Sequence, residues 1–276
     1  MFKTQVQRLA VAALCALGPQ PARAVPPPPA QVTANCEAPT YASDQLVCAD
    51  PELLELDRLL GDQIGSRDEA AVASVPAGSD EEWFRRSRMC AFEADHRDCL
   101  RAAYCLRLAW LDRSSPGVPA ACAVPAADYL PAASMSDSGF VRGAGASGLP
   151  QGAEIRLWGF VDHGNLYGDD GARAILGDWW GGPGPDSANW RFNLKTGANQ
   201  PVGASFAVHI ANDLLRDDVL RVFRADAEAG RATRVYLRGR VFTFAAPTGT
   251  RNLTGLRLEV KSSRAIGLAG ANAQQP

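Results

Sequence analysis

Paired carboxylates stand at two places in the sequence, Glu81-Glu82 and Asp217-Asp218. Two carboxyl groups are the minimum equipment for glycoside hydrolysis, one as acid and the other as base or nucleophile. Neighbouring residues on a helix point in different directions, and Glu82 has another task, closing a capping box that Ser79 opens. Both pairs therefore read as surface acids, and no catalytic residue is expected. Asp162-His163 with Asp169-Asp170 offers oxygen and nitrogen ligands to a metal. A polar loop at a strand end explains the same residues, so neither a metal nor a cofactor is expected. His96 and His209 stand apart, and the sequence has no Gly-x-Ser-x-Gly elbow and no phosphate-binding loop.

Two other groups could bind rather than react. Gly177-Asp178-Trp179-Trp180-Gly181-Gly182-Pro183-Gly184, with Tyr167 and Trp190 nearby, places aromatic rings on a glycine-rich loop. Such rings stack on a sugar, a base or a peptide, or close a core; Trp179 and Trp180 are kept as candidate ligand contacts. Arg234, Arg238, Arg240, Arg257, Lys261 and Arg264 cluster in the last strands, as basic residues do on a nucleic-acid-binding face. Ser134 to Leu268 carries 16 basic against 13 acidic residues, a net of only +3, so a solvated strand face is the reading and no nucleic acid partner is expected.

The cysteines say where the chain works. Lys3 and Arg8, the apolar run Leu9 to Leu17 and Ala22-Arg23-Ala24 read as a signal peptide over residues 1–24, cut after Ala24. The run is too short to span a membrane, and Gly18-Pro19 breaks it. Leu14 before Cys15 is a poor lipobox residue, which argues against a lipid anchor. Six cysteines remain beyond the cut: Cys36, Cys48, Cys90, Cys99, Cys105 and Cys122. An even number in an exported chain reads as disulfides, and a periplasmic or secreted location is expected. Fifteen pairings are open. Cys36 with Cys48 would pin the entry segment to a helix, Cys90 with Cys99 would staple a turn, and Cys105 with Cys122 would tie the following segment back.

Residues 25–35, with Pro26 to Pro29, read as a stiff spacer. In 36–113 the pattern is helical. Ser43 caps a short helix, Asp50-Pro51 starts a longer one with Leu53, Leu56, Leu60 and Ile64 on one stripe, Trp83 and Cys90 share a face, and Leu100, Tyr104, Leu108 and Leu111 mark another helix. This region holds 16 acidic and 9 basic residues, a net of −7. Residues 114–148, rich in Ala, Pro, Ser and Gly, read as a linker, and 269–276 as a disordered tail. Over 149–268 the period changes to two: strands are expected around Ile155 to Val161, Trp190 to Leu194, Ser205 to Ile210, Val235 to Phe244 and Leu256 to Val260, with a helix capped by Asn212 and closed by Gly230 before the fourth strand. The expected fold is α+β in two domains, a disulfide-stapled helical module followed by an OB-fold-like antiparallel barrel with one inserted helix.

Cys36, Cys48-Ala49-Asp50-Pro51-Glu52-Leu53 with Leu56-Asp57-Arg58-Leu59-Leu60, Trp83 through Arg88 with Cys90, and Cys99-Leu100-Arg101-Ala102-Ala103-Tyr104 together resemble the N-terminal domain of the LprI-type lysozyme inhibitors. The likeness covers about 36–111. Arg88-Met89-Cys90 stands where the family often has Arg-Asp-x-Cys, and Cys105 and Cys122 are additional. The resemblance implies a non-catalytic binding protein that inhibits a basic lysozyme. The acidic helical face, with Glu52, Glu55, Asp62 and Glu69, is then the expected contact, since opposite net charge steers association. The rival expectation is an envelope structural or ligand-binding protein whose barrel recognises a wall glycan, peptide or protein.

Overall fold

The computed structural model describes residues 31–67, 79–111, 122–137, 151–165, 189–199, 205–248 and 251–269. Helix α1 (Ala42–Ala49) runs into α2 (Pro51–Gly65) through Asp50, whose carboxylate accepts from the Glu52 and Leu53 amides at 2.9 and 3.2 Å. Asp50 thus satisfies two of the orphan donors at a helix start, and Pro51 needs none. Ser43 is not a cap: α1 begins after Tyr41, and Ser43 is buried inside the helix. Helix α3 (Ser79–Ser87) continues into a 3-10 turn, Arg88–Phe92, before α4 (His96–Leu111).

Leu53, Leu56 and Leu60 of α2 bury against Leu100, Ala103, Tyr104 and Leu108 of α4 in one core, and Trp83 meets Tyr104 edge-on at 5.5 Å. Three disulfides hold this small core, Cys36–Cys48, Cys90–Cys99 and Cys105–Cys122, closing spans of 12, 9 and 17 residues. Each link of this kind contributes about 2–4 kcal/mol, chiefly by restricting the unfolded chain. The last residues of the expected spacer belong to the same packing. The Gln31 amide donates to buried Asp44 at 3.1 Å, and the Ala34 N–H donates to Asp57 at 3.0 Å.

Within the stretch expected as a linker, Cys122–Asp137 carries strand β1 (Leu130–Pro131) and helix α5 (Ala132–Asp137). Strands β2 (Glu154–Val161), β3 (Asn189–Lys195), β4 (Ser205–Ala211), β5 (Arg234–Thr248) and β6 (Arg251–Val260) close a barrel in the order β2-β3-β4-β6-β5, with β5 returning to β2. Helix α6 (Arg216–Glu228) precedes the fourth barrel strand, and β7 (Ile266–Leu268) adds to β5. The barrel is mixed rather than antiparallel throughout: β4 and β6 pair in parallel, Val208 opposite Leu258. Parallel neighbours need a long crossover, and α6 with β5 provides it.

Alternation puts Leu157, Phe192, Leu194, Val208, Ile210, Leu237 and Leu258 inside, while Phe223 of α6 meets Phe192 edge-on at 5.3 Å. A Cβ on Gly159 would lie 2.8 Å from the Lys195 carbonyl, and one on Gly239 2.6 Å from that of Glu259, so glycine permits the close strand approach at both places. Asn212 does not cap α6. The helix begins after Leu215, whose amide donates to Asp213 at 3.0 Å, and Gly230, at φ 66°, ends the run as expected.

Helices and barrel share polar ties. Arg86 of α3 donates to buried Asp218 of α6 at 2.7 Å, and Arg264 donates to Glu93 at 3.2 Å and pairs with Asp95. Trp110 of α4 lies under the guanidinium of Arg107 at 4.3 Å and of Arg221 at 5.8 Å. No helix among the described residues is long and apolar enough to cross a membrane.

Candidate binding surfaces

The acidic residues singled out on α2 are engaged within the chain. Glu52 accepts from Arg97 and Arg101 of α4, both at 2.6 Å, and Arg97 also donates to Asp50 at 2.6 Å. The hydrogen bond from Arg101, followed by that from Arg97, holds the Glu52 carboxyl below its ordinary range. Arg58 reaches Glu55 at 2.7 Å and Asp62 at 2.6 Å. Arg58 stands three residues after Glu55 and four before Asp62, a spacing that places them on one helix face, and the sequence reading overlooked it. These last pairs are exposed and contribute little stability. Glu69, Trp179 and Trp180 lie outside the described residues, as do Tyr167, Asp169 and Asp170.

The residues that carry the family resemblance mostly build the fold. Asp50 caps α2. Asp57, buried on the same helix, accepts the Tyr104 hydroxyl at 2.7 Å and the Ala34 amide through one oxygen. Burial pushes the Asp57 carboxyl above the ordinary range against these hydrogen bonds, and burial raises Tyr104 well above its own. Trp83 packs on Tyr104, and Arg88 stacks on Tyr41 at 3.5 Å and Phe84 at 4.4 Å.

The described candidate metal residues have partners within the chain: Asp162 accepts the Gly164 amide at 3.2 Å. His163 Nε2 lies 2.9 Å from the Thr233 hydroxyl, which donates to buried Asp226 at 2.8 Å, while Arg231 donates to the other oxygen of Asp226 at 3.1 Å. Because the hydroxyl proton goes to Asp226, Thr233 accepts from the imidazole N–H. Burial lowers the His163 pKa. This chain of bonds joins the end of β2 to the turn between α6 and β5, and no group of three metal-ligating side chains occurs among the described residues. His209 on β4 is pushed down to about 4, first by burial and then by Arg191 and Arg257.

No family model matches the chain, and neither a curated protein nor a solved structure matches it.

Glu81 and Glu82 are both exposed, whereas the second carboxylate pair is separated in environment. Asp218 is buried, and burial raises its pKa despite Arg86, whereas Asp217 lies at the surface against Arg216 at 2.9 Å. Much of the basic strand cluster is also occupied. Arg238 pairs with Glu154 at 2.6 Å, Arg257 pairs with Glu259 at 2.5 Å, and Arg234 covers Trp158 at 4.8 Å. Among the described residues Arg240 and Lys261 make no ion pair.

A feature with no signal in the sequence lies where α4 meets the barrel. A groove of about 570 Å³ runs between Asp98, Arg101 and the Cys105–Cys122 disulfide on one wall and Arg240, Glu259 and Lys261 on the other. Its two walls come from residues more than a hundred positions apart, which is why periodicity and motif spacing do not reveal it. A smaller cavity, about 360 Å³, lies between Arg86, Trp110 and Arg224.

Proposed function

We propose that this chain is an exported, non-catalytic binding protein, and that its disulfide-stapled helical part recognises a basic lysozyme and inhibits it. The observation that carries the reading is the net charge of −7 over residues 36–113. Internal ion pairs do not alter that sum, so the long-range attraction for a strongly basic enzyme persists even though Glu52, Glu55 and Asp62 are bonded to arginines. The resemblance to the LprI-type inhibitors supports the same partner. Three disulfides fit an oxidising compartment outside the cytosol. The test mixes the purified protein with a panel of lysozymes on wall substrate; complete cleavage at excess protein sinks the inhibitor reading.

A second reading is favoured by the groove. The barrel is OB-fold-like in its strand order and in the placing of α6 before its fourth strand, and barrels of that kind bind ligands on loop-framed faces. On this reading the barrel forms a second domain that recognises a wall glycan, peptide or protein, and Arg240 and Lys261 meet its acidic groups. Binding of soluble wall fragments that survives Arg240→Glu with Lys261→Glu unchanged removes the groove from the account.

A further inference from the structure

Among the large apolar side chains exposed in the described residues, Phe92 is the most open, at 75%, ahead of Leu130 of β1 at 53% and Met89 at 52%. Phe92 and Met89 both belong to the 3-10 turn Arg88–Phe92. Such a turn has three residues per revolution, so positions three apart stand on one side. Met89 and Phe92 therefore form one apolar projection rather than two scattered exposures.

The turn beneath them is firmly held. Cys90, between the two, is buried and bonded to Cys99. The Glu93 amide donates to the Cys90 carbonyl at 3.1 Å, and the Ser87 hydroxyl donates to the Phe84 carbonyl at 2.9 Å. Arg88 is fixed between Tyr41 and Phe84. An aromatic side chain presented on a braced element loses little freedom on binding, and exposed aromatics of this kind are the usual anchors of protein interfaces.

We propose that the Met89–Phe92 projection is the docking surface of the helical part and that its occupant is a basic protein; the proposal rests on the charge-steered reading above and names the contact it uses. The net charge of the helical region selects the occupant. The segment after Phe92 exposes Glu93, Asp95 and Asp98. Arg264 pairs with the first two and Arg97 is committed to Asp50 and Glu52, so the attraction comes from the region's summed charge rather than from the carboxylates beside the turn alone. The helical region as a whole is at −7, which repels an anionic lipid surface and a second copy of itself. A cationic protein is drawn to the same place, where the apolar pair supplies the short-range contact.

The experiment uses the full chain and a basic c-type lysozyme as probe. Binding is measured by calorimetry separately from wall cleavage, for the wild type, Phe92→Ala, the double variant Met89→Ser with Phe92→Ala, and Leu54→Ala as a control on α2. Unchanged melting temperatures show that the variants fold. Phe92→Ala is expected to weaken binding by at least about tenfold, the double variant further, and Leu54→Ala not at all. Wild-type affinity in the double variant overturns the docking surface and leaves the lysozyme reading intact. Binding that depends on Phe92 without any effect on cleavage supports the surface and overturns inhibition. Absence of wild-type binding overturns both, and Phe92-dependent self-association or vesicle binding in its place reassigns the turn to that occupant.

Discussion

The Tyr104 hydroxyl donates to the buried Asp57 carboxylate at 2.7 Å, across 47 positions of sequence, and the same oxygen accepts the Ala34 amide at 3.0 Å. One carboxyl thus holds the entry segment, α2 and α4 together.

Burial raises the Asp57 pKa, so the folded chain binds that proton more readily than the unfolded chain does. The associated stability is complete below the unfolded value of about 3.9 and is lost as pH rises through the raised folded value. Asp57→Asn keeps an acceptor in the same place and removes the titration. Urea unfolding of both proteins is expected to show the wild type losing stability relative to the variant as pH climbs out of the ordinary carboxylate range. Parallel curves across that window refute the assignment. Tyr104→Phe, which takes away a donor from a buried acceptor, is expected to cost about 1–3 kcal/mol.

Asp50 combines the α2 cap with an ion pair to Arg97. Asp50→Ala is expected to destabilise the fold by about 1–2 kcal/mol in thermal or denaturant melts. Asp62→Ala, which breaks an exposed pair, is expected to stay within about 0.5 kcal/mol of wild type. Equal effects at the two sites contradict the capping role.

Arg86→Ala leaves Asp218 buried without its bonded partner. A loss of about 3 kcal/mol is expected at neutral pH. Burial already raises Asp218, so protonation relieves the unpaired charge and the loss shrinks as pH falls through that raised value. Hydrogen exchange should locate the damage in α6 and the facing side of α3; a loss confined to the barrel strands contradicts the contact.

Cys105–Cys122 closes 17 residues and ties the segment leading to β1 onto α4. Replacing both cysteines with serine is expected to remove about 2–4 kcal/mol from the urea-unfolding free energy. Because the disulfide also lines the groove, wall-fragment binding, where present, should weaken in the same variant.

The amino-acid sequence by itself determined the features that repeat over a few residues. Leucines at three- and four-residue spacing mark α2 and α4, alternation from Trp190 to Leu194 and Ser205 to Ile210 marks strands, and Asp50-Pro51 marks a helix start. Six cysteines in a chain read as exported pointed to disulfides while leaving fifteen pairings open, and the three that form are the ones expected to pin the entry segment, staple a turn and tie the following segment back. Each of these signals is local, set by helix and strand period or by the reach of a short loop. The Glu55–Arg58–Asp62 pairing was legible in the same way. Tertiary structure alone decided the rest. Arg86 meets Asp218 across 132 positions, and β4 runs parallel to β6 because α6 and β5 turn the chain around between them. Arg97 and Arg101 neutralise Glu52 because α4 packs along α2. The same folding leaves Phe92 uncovered, since the Cys90–Cys99 staple buries Cys90 and turns its neighbours outward. Exposure and ion pairing depend on which distant segments meet, and no short stretch of sequence contains that information.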